Sequence, residues 1–462
     1  MDQQGCCGLS ADESGRIMDR LAGLEKVISP TLIRQALEAA NAVNERACML
    51  THEMMLWLVL AMGLLTNMPI RQVFKHSRRL RPEEKSPARS SLCEARKRLG
   101  VEPVQALFDL VVRPLANPET PGAFYGGLRL MACDGTTLNA PDSEANRVAF
   151  HRADGGRGEG AFPQVRKMSL VEVGTHVEVA FVMGGWQDGE QKLMVDLVDK
   201  IPKGGLLLLD RGLFSFSLWK KLTDAGVAVL GRISKTSILT PIQYLPDGSF
   251  LAKIYRNCRD RRKDLDGIIV RVIEYTHRDP QRVECDVVHR VVTTLLDAAA
   301  HPALELICLY HERWENELVF DEQKTHQDPR RASKAAHLRS ETPEGVRQEV
   351  LALSLAHFVT RALMFEAAQT VGMDVDRLSF TGCLHILRCR LPECDTATPT
   401  TMATWYAGLL SEMADERIEP RRNRVNPRVV KQKMSKFNKK RPCHRGMPPL
   451  KQLFREIVHI LK

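Results

Sequence analysis

The run Leu206-Leu-Leu-Leu-Asp210-Arg-Gly does most to limit what this 462-residue chain can fold into. Four consecutive leucines, opened by Pro202-Lys-Gly-Gly and closed by an aspartate, read as a strand that is apolar on both faces and fully buried in a sheet. A second strand, Leu128-Arg-Leu-Met-Ala-Cys-Asp134-Gly, also closes on an aspartate followed by a turn. Between the two, residues 168–173 and 177–183 flank Gly174-Thr175 and predict a hairpin, and 187–200 predicts an amphipathic helix.

The chain before this sheet has a different period. Apolar spacing over 17–115 is helical, with helices predicted at 32–47 and 51–65, so residues 1–118 read as an all-α N-terminal domain. Its second half, 71–98, holds ten Lys/Arg against three acids, and Ser90 or Ser91 is placed to cap a helix ending at Gly100. A basic helix after a proline-broken loop fits a DNA-binding module and equally fits a surface helix. Beyond the leucine strand, 238–295 is rich in Val, Ile and Thr and predicts several antiparallel strands. Thr342-Pro343 then caps and starts a helix to about residue 364, a less structured stretch follows, and another helix covers 402–414. The division expected is 1–118, 119–236, 237–300, 301–372 and 373–462.

Charge is unevenly placed. Residues 421–445 contain eleven Lys/Arg and no acid, and taking these from the net charge of +10 leaves the rest of the chain at −1. A basic arm of this kind is built to meet phosphates. The twelve cysteines show no metal-site spacing and read as reduced thiols. The longest apolar run, 54–65, is too short to cross a bilayer, and the polar start has no signal-peptide pattern. A cytoplasmic protein is expected.

The chemistry concentrates in Leu309-Tyr-His-Glu-Arg-Trp-Glu-Asn-Glu-Leu-Val-Phe-Asp-Glu-Gln-Lys-Thr325. On an α-helix, Tyr310, Arg313, Glu317 and Lys324 share one face, within an arc of about 60°. A carboxylate there suits a divalent cation, and a guanidinium with an ammonium suits phosphate oxygens. Asp321 lies one turn below Glu317, so spacing leaves two candidate carboxylates. Asp134 and Asp210, taken singly, read as turn or cap residues. Together with a helical carboxylate they form an acidic trio suited to two magnesium ions.

The spacing Y-(2)-R-(3)-E-(6)-K of Tyr310, Arg313, Glu317 and Lys324 resembles the signature of the insertion element 4 family of bacterial DDE transposases. Cys-Asp134-Gly-Thr-Thr and Leu-Leu-Asp210-Arg-Gly-Leu-Phe are similar to that family's first two catalytic motifs. The resemblance implies an α/β multidomain protein whose RNase H-like catalytic core, a mixed sheet with flanking helices, carries a β-rich insertion. It implies Asp134, Asp210 and Glu317 as catalytic metal ligands for two Mg2+ ions, with Mn2+ as the alternative, and so selects Glu317 over Asp321. Tyr310, Arg313 and Lys324 would bind DNA phosphates, and Trp314 is a candidate to stack on a flipped base. The implied activity is metal-dependent cleavage and strand transfer on double-stranded DNA at terminal inverted repeats, by a homodimer bridging two ends.

Overall fold

The computed structural model describes residues 18–44, 48–80, 82, 84–155, 158–234, 237–277, 287–328, 337–396, 398–420, 429–430, 438–439 and 453–461. It opens with a 3-10 turn at Asp19–Lys26 and five helices: α1 Pro30–Ala39, α2 His52–Leu64, α3 Ile70–Ser77, α4 Arg89–Leu99 and α5 Glu102–Val111. Ser29 and Thr51 cap α1 and α2 by accepting from Leu32 N and Met54 N. Helix α1 stops well short of residue 47, because the chain turns through Asn41 at φ 51°. Helix α2 is buried on every side, as a helix apolar all round requires.

The sheet begins with β1 Leu128–Asn139, β2 Gly158–Glu172 and β3 Val177–Gly184, and α6 Glu190–Leu197 leads to β4 Gly205–Leu209. Helix α7 Phe216–Asp224 connects to β5 Ala228–Arg232, and β6 Phe250–Ile254, β7 Ile268–His277 and β8 His289–Thr293 follow. Their order is β3-β2-β1-β4-β5-β8-β7-β6, with β4 parallel to β1 and to β5 and the other pairs antiparallel. The strands expected over 238–295 therefore extend this one sheet, β8 pairing directly with β5.

The leucine strand is buried on both faces. Leu207 and Leu209 pack with Met131, Cys133, Leu193, Met194 and Trp219, so α6 and α7 cover that face. Leu206 and Leu208 pack with Leu130, Ala132, Leu306 and Ile307, so α8 Ala303–His311 covers the other. Each fully buried leucine contributes about 1.5–3 kcal/mol relative to exposure. Helix α8 runs through a 3-10 turn at Glu312–Trp314 into α9 Glu315–Asp321 and then a π-helical turn at Glu322–Gln327.

Helix α10 Pro343–Thr370 starts at the Thr342 cap, α11 covers Phe380–Arg390 and α12 covers Pro399–Asp415. Helix α11 occupies the stretch expected to be less structured, and its Phe380, Cys383, Leu384 and Leu387 are buried. Helix α10 is long and apolar enough to cross a membrane, yet most of it is buried inside the protein. It crosses α2 at Gly63, where any side chain would collide with the Ala352 carbonyl. Helices α1–α5 and α10–α12 share one apolar cluster, so the N-terminal helices are packed on helices from the far end of the chain.

Apart from Val429–Val430 and Asn438–Lys439, the basic arm at 421–445 lies outside the described residues. Beyond it the chain returns to the core. Helix α13 Phe454–Ile457 buries Phe454 and Ile457 against α8, and β9 Val458–Ile460 pairs with β7.

Candidate active site

Asp134 is not at the end of its strand, because β1 keeps pairing with β2 as far as Asn139↔Gln164. The parallel ladder to β4, however, ends at Cys133↔Leu209, one residue earlier. Asp134 and Asp210 are thus the next pair in register, at the point where β4 leaves the sheet and Asp210 opens a 3-10 turn. Side-chain alternation sends Asp134 to the face of Leu130 and Ala132, which is covered by α8.

The segment from Tyr310 to Lys324 is not one uniform α-helix. Its 3-10 turn overwinds the chain and its π turn underwinds it, errors of opposite sign that leave the four signature residues facing the same end of the sheet. Arg313 is buried among the acids, 3.6 Å from Asp134, 3.9 Å from Asp210 and 3.7 Å from Glu317. Lys324 Nζ donates to Thr136 Oγ1 at 2.7 Å, two residues along β1 from Asp134. Asp321 instead pairs with His326 at 3.2 Å. The backbone of Trp314 lies in the 3-10 turn, but its side chain lies outside the described residues.

Burial and the shared guanidinium of Arg313 set the electrostatics of the site. Burial raises the Asp134 carboxyl above the usual range, opposed by Arg313 and by the Gly135 N–H that it accepts at 2.8 Å. Burial disfavours the charge on Arg313, but the surrounding Tyr310, Asp210, Asp134 and Glu317 outweigh it and push its pKa up. The Tyr310 phenol is driven well up by burial, and its Oη has no hydrogen-bond partner among the described residues. The carboxylates stay accessible, with 25% of the Asp134, 41% of the Asp210 and 46% of the Glu317 side chain exposed.

This donor set fits hard divalent cations. Three carboxylates face one arginine, and an orphaned buried hydroxyl stands beside them. Among the described residues no three acidic, His or Cys side chains already converge on one point, and the three acids instead each face Arg313.

Comparison with known proteins identifies the family. Residues 18–109 match the family described as insertion element 4 transposase N-terminal, and residues 125–359 match the transposase DDE domain. The chain belongs to the insertion element 4 family of DDE transposases. It is 28% identical over 424 residues to the transposase InsG for insertion sequence element IS4 of Escherichia coli strain K12, covering 90% of this chain and 93% of that one. A putative transposase, InsZ, of the same organism is 27% identical over 140 residues, 30% of this chain and 47% of its own length. A piggyBac transposase synaptic complex with hairpin DNA aligns over 86% of both chains at 10% identity and a TM-score of 0.43.

As a DDE transposase the protein is a polynucleotidyl transferase and endonuclease, and its signature helix is supported in a way the sequence does not announce. Glu322, which points away from the signature face on an ideal helix, is buried and accepts from Arg361 Nε at 3.0 Å and pairs with His357 Nε2 at 2.9 Å. These partners hold its carboxyl well below the usual range although burial opposes them. Gln323 accepts from Lys167 Nζ and donates to Glu178, both at 3.0 Å, and Lys167 reaches Glu178 at 2.8 Å. Gln327 Nε2 donates to Gly63 O at 3.0 Å and Leu353 O at 2.8 Å, tying the π turn to α2 and α10. The only sequence signal for this network is an unbroken polar run, Asp321-Glu-Gln-Lys-Thr-His-Gln, too long to be solvated on a single face.

Proposed function

We propose that this transposase cuts double-stranded DNA at the terminal inverted repeats of its element and joins the freed ends to target DNA, using Asp134, Asp210 and Glu317 as its catalytic acids. The observation that carries the reading is the meeting of these three carboxylates, from two neighbouring parallel strands and one helix, around Arg313. When bound, two Mg2+ ions, or Mn2+, held by the three acids would supply activation of water and then of the 3′-hydroxyl for in-line attack on phosphodiesters.

The protein's own groups divide the remaining work. Arg313 balances the carboxylates in the ion-free protein, and its guanidinium then becomes available to a phosphate. Lys324, hydrogen-bonded on the strand of Asp134, contributes a second cation beside the scissile backbone. Tyr310 Oη, buried without a partner among the described residues, donates to the same phosphate. Trp314 is proposed to stack on a flipped base. The strands β3-β2-β1-β4-β5 support assignment as an RNase H-like core. Residues 1–118 and the basic arm are proposed as the longer DNA contacts, in a homodimer acting in the cytoplasm and bound to the nucleoid when on DNA.

The test is incubation of the purified protein and Mg2+ with DNA carrying the inverted repeats that flank its gene. Cutting at the repeat ends is expected; wild-type protein that binds the repeats without cutting them overturns the catalytic reading. Deleting 421–462 would remove Phe454, Ile457 and β9 from the core, so the arm is better tested by changing its eleven basic residues to glutamine. The slope of log affinity against log salt should then flatten by about 0.9 for each phosphate that the arm no longer neutralises.

A further inference from the structure

Helix α6 covers the face of the sheet opposite α8 and α9, and Cys133 touches its Met194 at 2.9 Å. Alternation along β1 sends Asp134 toward α9 and leaves Gly135 facing α6. The first residue of α6 is Glu190, and its carboxylate stands where a side chain on residue 135 would be. A Cβ on Gly135 would lie 2.9 Å from Glu190 Oε1 and 3.0 Å from its carboxyl carbon. Glycine at this position is what lets the carboxylate approach the strand backbone beside Asp134. Strand β4 has ended at Leu209, so its ladder to β1 stops at Cys133 while β1 goes on pairing with β2 on its other side as far as Asn139. Glu190 on one face and Asp134 on the other are thus close enough to interact across this part of β1.

Chemistry makes the grouping informative. Asp134, Asp210 and Glu317 stand around Arg313, and Glu190 adds a fourth carboxylate next to Asp134, the kind of oxygen donor a hard divalent cation takes. Tyr310 Oη, buried without a hydrogen-bond partner among the described residues, is an independent sign of a missing ligand at this site. An ordinary reason for Glu190 also exists, since an acid in the first turn of a helix offsets the helix dipole. That role requires neither the close approach to Gly135 nor the position beside Asp134.

We infer that Glu190 is a fourth carboxylate of the cation site, reaching it over Gly135 from the face of the sheet opposite Glu317. This rests on the reading of Asp134, Asp210 and Glu317 as ion ligands. The experiment is titration of the full-length protein with Mn2+ alone, followed by the spectroscopic signal of free Mn2+, for the wild type and for Asp134→Asn, Glu190→Gln and Gly135→Ala. Glu190→Gln should weaken Mn2+ binding about tenfold or more without moving the thermal midpoint, and Gly135→Ala should do the same by displacing an unaltered Glu190. Weak binding by Asp134→Asn together with wild-type binding by Glu190→Gln would reduce Glu190 to a helix-terminal charge while the three-acid site stands. Wild-type binding by both would overturn the inference and the three-acid site together.

Discussion

Two ionic clusters lie about one helical turn apart on the same segment, and they are built for different ends. Around Glu322, one carboxylate meets Arg361 and His357, all of them buried, and the neighbouring Lys167–Glu178 pair is closed by Gln323 and Ser354. Around Arg313, three carboxylates meet one guanidinium at 3.6 to 3.9 Å and remain a quarter to nearly half exposed. The first cluster satisfies its charges internally, and breaking it leaves a charge stranded in a dry interior. The second leaves negative charge open to solvent, where cations can reach it. Both use the same residue types, so the difference lies in neutralisation and access.

Substitutions should separate the two. Arg361→Ala strands Glu322 and should cost about 3–5 kcal/mol in denaturant unfolding, with activity lost only as far as folding is lost. A milder effect is expected of Lys324→Ala, which removes a charged donor at the open site. It should weaken binding to a terminal repeat by about 1.5–3 kcal/mol in a low-salt titration and leave the unfolding midpoint in place. Smaller still, Asp134→Asn should change stability by about 0.5 kcal/mol or less, and an increase would agree with the burial that opposes its charge.

The pH dependence sharpens the same contrast. The folded-state pKa of Glu322 lies well below the ordinary 4.5, and burial holds that of His357 below 6.5. For both, the unfolded chain takes up the proton first, so their stabilisation is full above the unfolded pKa and is lost as pH falls. Stability should decline below about pH 6.5 and more steeply below about 4.5. A Glu322→Gln protein should show a shallower second decline, the remainder coming from the buried Glu178 and Glu349 carboxyls, which are also held below their usual range; an unchanged decline would move the acid sensitivity away from Glu322.

Much of the frame was legible because it depends on local chemistry. Thr51 and Thr342 mark their helix starts by side-chain caps, and the four leucines require burial on both faces. The candidate site was legible through spacing, since Tyr310, Arg313, Glu317 and Lys324 lie at one end of the sheet despite the 3-10 and π turns. What was missed depends on distant partners. Asp134 is in mid-strand because β2 is longer than β4, α11 takes its order from packing under α10 and α12, and β9 exists only because β7 offers an edge. Glu322 reads as an off-face surface acid until Arg361 is found beside it, 39 residues along the chain.

The central claim is that the open cluster performs the chemistry and the closed one only holds it in place. Its most direct test is Mg2+-dependent cleavage of the terminal repeats by Glu317→Gln protein, with repeat binding measured in EDTA and thermal unfolding measured alongside. The account predicts cleavage reduced by about a thousandfold or more, equivalent to about 4 kcal/mol of barrier, with binding and unfolding unchanged. Cleavage within about tenfold of wild type would contradict it.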